Sequence, residues 1–218
     1  MLKVGLTGGV ASGKSTVAGL LSVHGAAVCD VDAVVDKLYR PGAPGVGAVR
    51  ELFGTAVLAA SGGVDRRLLA GVVLTDAGAR ERLEAAVHPL VRAELRVWLG
   101  ETARCAPTSR VAVVEAALLV ETGFHREFDR LVVVTAPDVR RRGWARAEGW
   151  SAEKVERVMA AQTADAVREA IADYVLRNEA GLAHLALGVD RLWALLLEDA
   201  SALDAGAALV PRRALALP

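Results

Sequence analysis

The chain has 218 residues, 53% hydrophobic content and two cysteines, which suits one full core and excludes both a disordered chain and a disulfide framework. Lys plus Arg and Asp plus Glu each number 26, so no global field draws it to nucleic acid or to an anionic membrane, and any anion site must be local. We expect no leader and no membrane span, because no charged-then-apolar start precedes a cleavage site and no apolar run nears the roughly 20 residues that cross a bilayer; we expect a cytoplasmic protein, and, separately, a monomer or weak homo-oligomer.

Leu2, Val4 and Leu6 alternate and predict a strand over 2–6. Next comes "LTGGVASGKST", 6–16, in which Gly8, Gly13, Lys14 and Ser15 fit the spacing of a phosphate-binding loop. Small residues at Gly8, Gly9, Ala11, Ser12 and Gly13 let backbone N–H groups turn toward phosphate oxygens. Lys14 would reach the β- and γ-phosphates of ATP, the Ser15 hydroxyl would ligate Mg²⁺, and Thr16 would extend the loop into the helix predicted at 14–24.

A second strand is predicted from Ala26 to Cys29, ending at Asp30 in "VCDVDAVV". Period-two alternation would put Asp30 and Asp32 on one side, at the strand edge where open α/β sheets bind ligands. Either Asp could receive a proton from an attacking hydroxyl, and either could simply cap the following helix. After the turn-rich "RPGAPGVGA", 40–48, the pattern is helical and strand-free from about 64 to 104, which reads as an insertion rather than a separate domain. His88, before Pro89, marks a helix start or a structural position there.

Buried strands follow at Val111–Val114 and over 130–136, the first ending at Glu115, where a carboxylate could meet the Mg²⁺ shell. Glu121 has a claim on substrate or metal-bound water, and an equal one as a solvated loop charge. The Arg-rich helical stretch "APDVRRRGWARAEGW" presents Arg142 and Arg146 four apart on one face, able to neutralise transferring phosphoryl oxygens or to form a solvated surface. A last strand is expected in "ADYVLRN", 172–178, and a helix over 179–199; the tail "VPRRALALP" has no clear periodicity. Alternating strands and helices imply a three-layer α/β fold around a parallel sheet. These residues alone specify an ATP-dependent small-molecule kinase.

Taken together, "GLTGGVASGKST", "CDVDA", "PGAPG", "DRRLL", "HPLV", "ALLVETG", "AAQ" and "ADYVLRN" resemble the dephospho-coenzyme A kinase family. The resemblance implies a P-loop kinase-like sandwich and phosphorylation of the ribose 3′-hydroxyl of dephospho-CoA by ATP, the last step of coenzyme A biosynthesis; the alternative is another small-metabolite or nucleoside kinase of that fold. It implies one domain over 1–218, with a nucleotide-binding core at 1–40, 108–136 and 172–199, an acceptor-binding insertion at 64–104 and a lid at 137–165. By position it makes Asp32 the catalytic base and puts Arg66, His88 and Glu121 on the acceptor side. It puts Arg142 in the lid, Arg146, Arg168 and Asn178 around the nucleotide, and Gln162 at a further motif position. Asp36 stands where the family often has His, Ala117 where it usually has Pro, and Glu115 where Asp is common.

Overall fold

The computed structural model describes residues 1–105 and 109–217; Thr108 and Pro218, which bound segments assigned above, lie outside the described residues. The elements begin with β1 (Leu2–Gly8), α1 (Lys14–Val23), β2 (Ala27–Asp30), α2 (Val31–Leu38) and α3 (Pro44–Phe53). Then come α4 (Arg66–Val73), α5 (Ala77–Cys105), β3 (Val111–Glu115), β4 (Arg130–Thr135), α6 (Asp138–Ala147) and α7 (Ala152–Ala161). The last are α8 (Asp165–Ile171), β5 (Tyr174–Arg177), α9 (Leu182–Asp204) and β6 (Leu215–Leu217). Contacts group these into two compact units, Met1–Cys29 with Cys105–Pro218, and Asp30–Arg104.

The first unit carries a sheet in the order β2-β3-β1-β4-β5-β6. β1 lies parallel to β3 and β4, and β4 to β5. Every residue of β3 and β4 is buried, and between the polar ends Glu115, Arg130 and Thr135 they are continuous apolar runs, as a sheet covered on both faces requires. Val17 and Leu21 of α1 and Leu185, Val189, Leu192 and Leu196 of α9 join Leu2, Val4 and Leu6 in one core cluster. Leu6 is in register with Glu115 and Gly8 with Val134, so the loop after β1 and the end of β3 share the C-terminal edge of the sheet.

The aperiodic tail forms β6, parallel to β5. Charges from this stretch of chain meet β4 at the other end of the sheet. The Arg130 guanidinium grips Asp199 with two hydrogen bonds, 2.7 and 2.9 Å, and donates to the Val210 carbonyl at 2.8 Å; Arg212 reaches Asp199 at 3.0 Å and the Tyr174 hydroxyl also donates to it.

The second unit is helical among its described elements. The Asp65 carboxylate caps α4 by accepting from the N–H groups of Arg67 and Leu68, and Pro44 opens α3 where its missing donor costs nothing. Lys37 of α2 pairs with Glu94 of α5 at 2.7 Å. Of the two readings of His88-Pro89, the helix start is corrected. α5 runs through both residues, and Pro89 withholds only the one N–H that would have bonded back to the preceding turn.

Candidate functional site

The loop is turned by backbone conformation before any side chain acts. Gly13, at φ 99°, stands as N-cap of α1 in a region that side chains avoid, and Ala11 occupies the left-handed region at φ 53°. The result is a bent run of peptides leading into a helix N-terminus, whose N–H groups and dipole favour phosphate. The Lys14 ammonium crosses the loop to the Gly9 carbonyl at 3.0 Å. The Ser12 hydroxyl is buried with no hydrogen-bond partner among the described residues.

Beneath the loop, the Ser15 hydroxyl donates to the Glu115 carboxylate at 2.7 Å, and Glu115 is buried at the end of β3. A hydroxyl and a carboxylate oxygen are hard donors. They suit Mg²⁺, which takes one or two protein ligands and completes its shell with phosphate oxygens and water. Beside the loop lies a cleft of about 560 Å³ lined by Ala11, Gly13, Thr16, Trp144, Asn178 and Leu185, among others. Asn178, just after β5, is buried and donates to the Ser12 carbonyl at 3.1 Å, so it braces the loop from the cleft side.

The arginines separate by helix face. On α6, Arg141 and Ala145 are buried, while Arg142 is half-buried and Arg146 exposed. Arg142 is held by Glu156 of α7 at 2.7 and 3.2 Å, which raises its pKa and lowers that of Glu156. Arg141, a member of the same Arg-rich stretch but not one of the two assigned a role above, donates through Nε to the Val10 carbonyl of the loop at 3.0 Å and pairs with Asp165 at 3.2 Å. The signal was available: Ala145, one turn on, marks the inward face of α6.

Arg168 and Glu121, assigned above to opposite sides of the reaction, meet each other. Arg168 is 1% exposed and bonds Glu121 at 2.6 Å and Asp165 at 3.0 Å. Burial pushes the Glu121 carboxyl up, but main-chain N–H groups, including Thr163's, and the Arg168 cation outweigh it, leaving the pKa below the ordinary value.

In the second unit, the expected alternation of Asp30 and Asp32 along a strand is corrected. Asp30 is the N-cap of α2, its carboxylate accepting from the Asp32 N–H at 2.9 Å, and Asp32 lies in the first helical turn. Arg66, at the start of α4, forms an exposed ion pair with Asp36. His88 is half-buried in α5, and burial lowers its pKa, aided by Arg92 and opposed by Glu84, so its ring is neutral at pH 7.

A family model described as dephospho-CoA kinase matches residues 2–184. A dephospho-CoA kinase of Methylococcus capsulatus is 42% identical over 88% of this chain and 95% of its own length. One from Streptomyces avermitilis is 40% identical over 92% and 96%. Among solved structures, TT1252 from Thermus thermophilus is 34% identical, with a TM-score of 0.74 covering 90% of this chain and 97% of that one.

Proposed function

The chain belongs to the dephospho-CoA kinase family, and from that premise we propose how its residues divide the work. The reaction is ATP-dependent phosphorylation of dephospho-CoA to coenzyme A, the closing step of coenzyme A synthesis, on a P-loop kinase fold. The observation that carries the assignment of the donor half is the Ser15–Glu115 pair beneath a loop whose Lys14 spans its mouth.

Lys14 binds the β- and γ-phosphates and draws negative charge off the bridging oxygen as it leaves. Ser15 and Glu115 would hold Mg²⁺, which, when bound, neutralises phosphate charge. Ala11, Ser12, Gly13 and Thr16 present the remaining loop donors, and the cleft of Trp144 and Asn178 takes the nucleoside end of ATP. Arg142 and Arg146 supply cations along the lid helix. Asp32 receives the proton of the acceptor 3′-hydroxyl, while Asp30 is committed to the helix cap. Arg66 and the neutral His88 belong to the acceptor side, one as a cation for acceptor phosphates and one as a hydrogen-bonding ring. The protein is a cytoplasmic monomer or weak self-associate; no described helix is long and apolar enough to cross a membrane.

The test is a coupled assay with Mg·ATP and dephospho-CoA, run beside adenosine and shikimate. Coenzyme A should form, and Asp32→Asn should lower kcat by about a hundredfold or more while leaving the Kd for ATP within about twofold. Retention of wild-type kcat in that variant would remove Asp32 from the base role.

A further inference from the structure

Gln162 belongs to the sequence motifs yet has no part in the chemistry above. It ends α7 in an extended conformation, φ −90° and ψ 150°, and its side-chain amide oxygen Oε1 accepts a 2.8 Å hydrogen bond from the Val10 N–H. The other main-chain group of the same residue, the Val10 carbonyl, receives Arg141 Nε at 3.0 Å. Val10 lies at a sensitive place. On one side, Gly9 offers its carbonyl to Lys14; on the other, Ala11 takes the left-handed turn that bends the loop. A residue whose N–H and C=O are both held cannot rotate without breaking a bond, so the peptides flanking it are held as well.

An independent observation shows that the space is built for this contact. A Cβ placed on Gly9 would lie 2.1 Å from Arg141 Nη2, so Gly9 leaves the room in which the guanidinium sits. Arg141 is itself fixed by Asp165 at 3.2 Å and Asp138 at 3.4 Å, and it is buried. All of these partners lie between 138 and 165. We propose that Gln162 and Arg141 are positioning residues that clamp Val10 from both sides and couple the conformation of the phosphate-binding loop to the 138–165 segment. Preorganisation is the benefit: loop donors already aimed at phosphate need not be ordered when the nucleotide arrives. Any movement of this segment must then be felt at the loop, because the same side chains belong to both.

The proposal rests on the loop being the ATP site, and its first test needs no nucleotide. In the wild-type chain the Val10 amide should exchange with deuterium at least about tenfold more slowly than an unstructured amide, and Gln162→Leu should abolish that protection while leaving the amides of Leu2–Thr7 unchanged. The same variant should raise KM for ATP about tenfold, the usual size of one lost hydrogen bond, with kcat and KM for dephospho-CoA within about twofold. Arg141→Met should act in the same direction, and the double variant should fall short of the product of the two single effects. An unprotected Val10 amide in the wild type overturns the clamp even if the variants fail to fold. So does a Gln162→Leu protein that loses thermal stability while keeping its KM for ATP. Failure to make coenzyme A would overturn the function instead; the amide measurement would still stand on its own.

Discussion

Two clusters of buried arginine sit at opposite ends of the same strands and behave as different materials. At the N-terminal end of β4, Arg130 and Asp199 are 4% and 3% exposed, and one carboxylate takes donors from Arg130, Tyr174 and Arg212. At the loop end, Arg141 and Arg168 are equally buried, but their partners Asp138, Asp165 and Glu121 keep side-chain exposures of 60%, 23% and 19%. These partners stand near water; Asp138 and Asp165 also border a second cavity, of about 410 Å³, beside Gln162. A sealed ion pair resists rearrangement because neither charge can be rehydrated without opening the core. The wetter cluster holds a loop in shape while water remains close enough to take over a carboxylate.

Breaking the sealed cluster should have the largest effect. Asp199→Ala removes the two-bonded partner of buried Arg130, leaving it Asp173 at 3.1 Å, and should cost about 3 kcal/mol in denaturant unfolding, with KM for ATP little changed in the folded fraction. Next in size, Glu115→Gln keeps the shape and the Ser15 contact but removes a charge at the loop end. It should lower kcat about a hundredfold, the scale of one lost electrostatic contact to a transition state, with a shift in Tm too small to account for it.

Acid distinguishes the clusters more finely. Burial raises the Asp199 carboxyl, but hydrogen bonds from Arg130, Tyr174 and Arg212 hold its pKa below 3.8, and Glu121 is held below 4.5. A carboxylate depressed on folding contributes stability that is complete above its unfolded value and drains away as pH falls through its folded value. Unfolding free energy should therefore drop as pH falls below about 4.5. Asp199→Asn should flatten that slope more than Glu121→Gln does, as urea melts at stepped pH would show. At the small end, Glu156→Gln breaks only the exposed pair with Arg142 and should leave Tm unchanged by calorimetry.

The loop, the strands β1 to β5 and the helical stretch were legible because each is a local pattern: glycine spacing, an apolar run, a 3.6-residue period. β6 was not, since three residues of Leu-Ala-Leu take their conformation from pairing with β5 and from the charges around Arg130. The inward turn of Arg141 rather than Arg142 is a matter of one helical step, about 100°, set by which face of α6 meets the loop. Asp32 left the strand because Asp30 caps α2 two residues before it, a contest between local hydrogen bonding and alternation that composition cannot arbitrate.

Trp144 has an optical consequence. Its half-buried indole lines the cleft beside Thr16, whereas Trp150 lies under the Lys154 ammonium at 3.7 Å and Trp193 stacks on His24 at 5.8 Å. A purine in that cleft, where we propose the nucleoside end of ATP sits, would come within stacking reach of the Trp144 indole. On that placement Trp144 would serve as an emission reporter for nucleotide occupancy, and titration with ADP should quench it with no label attached.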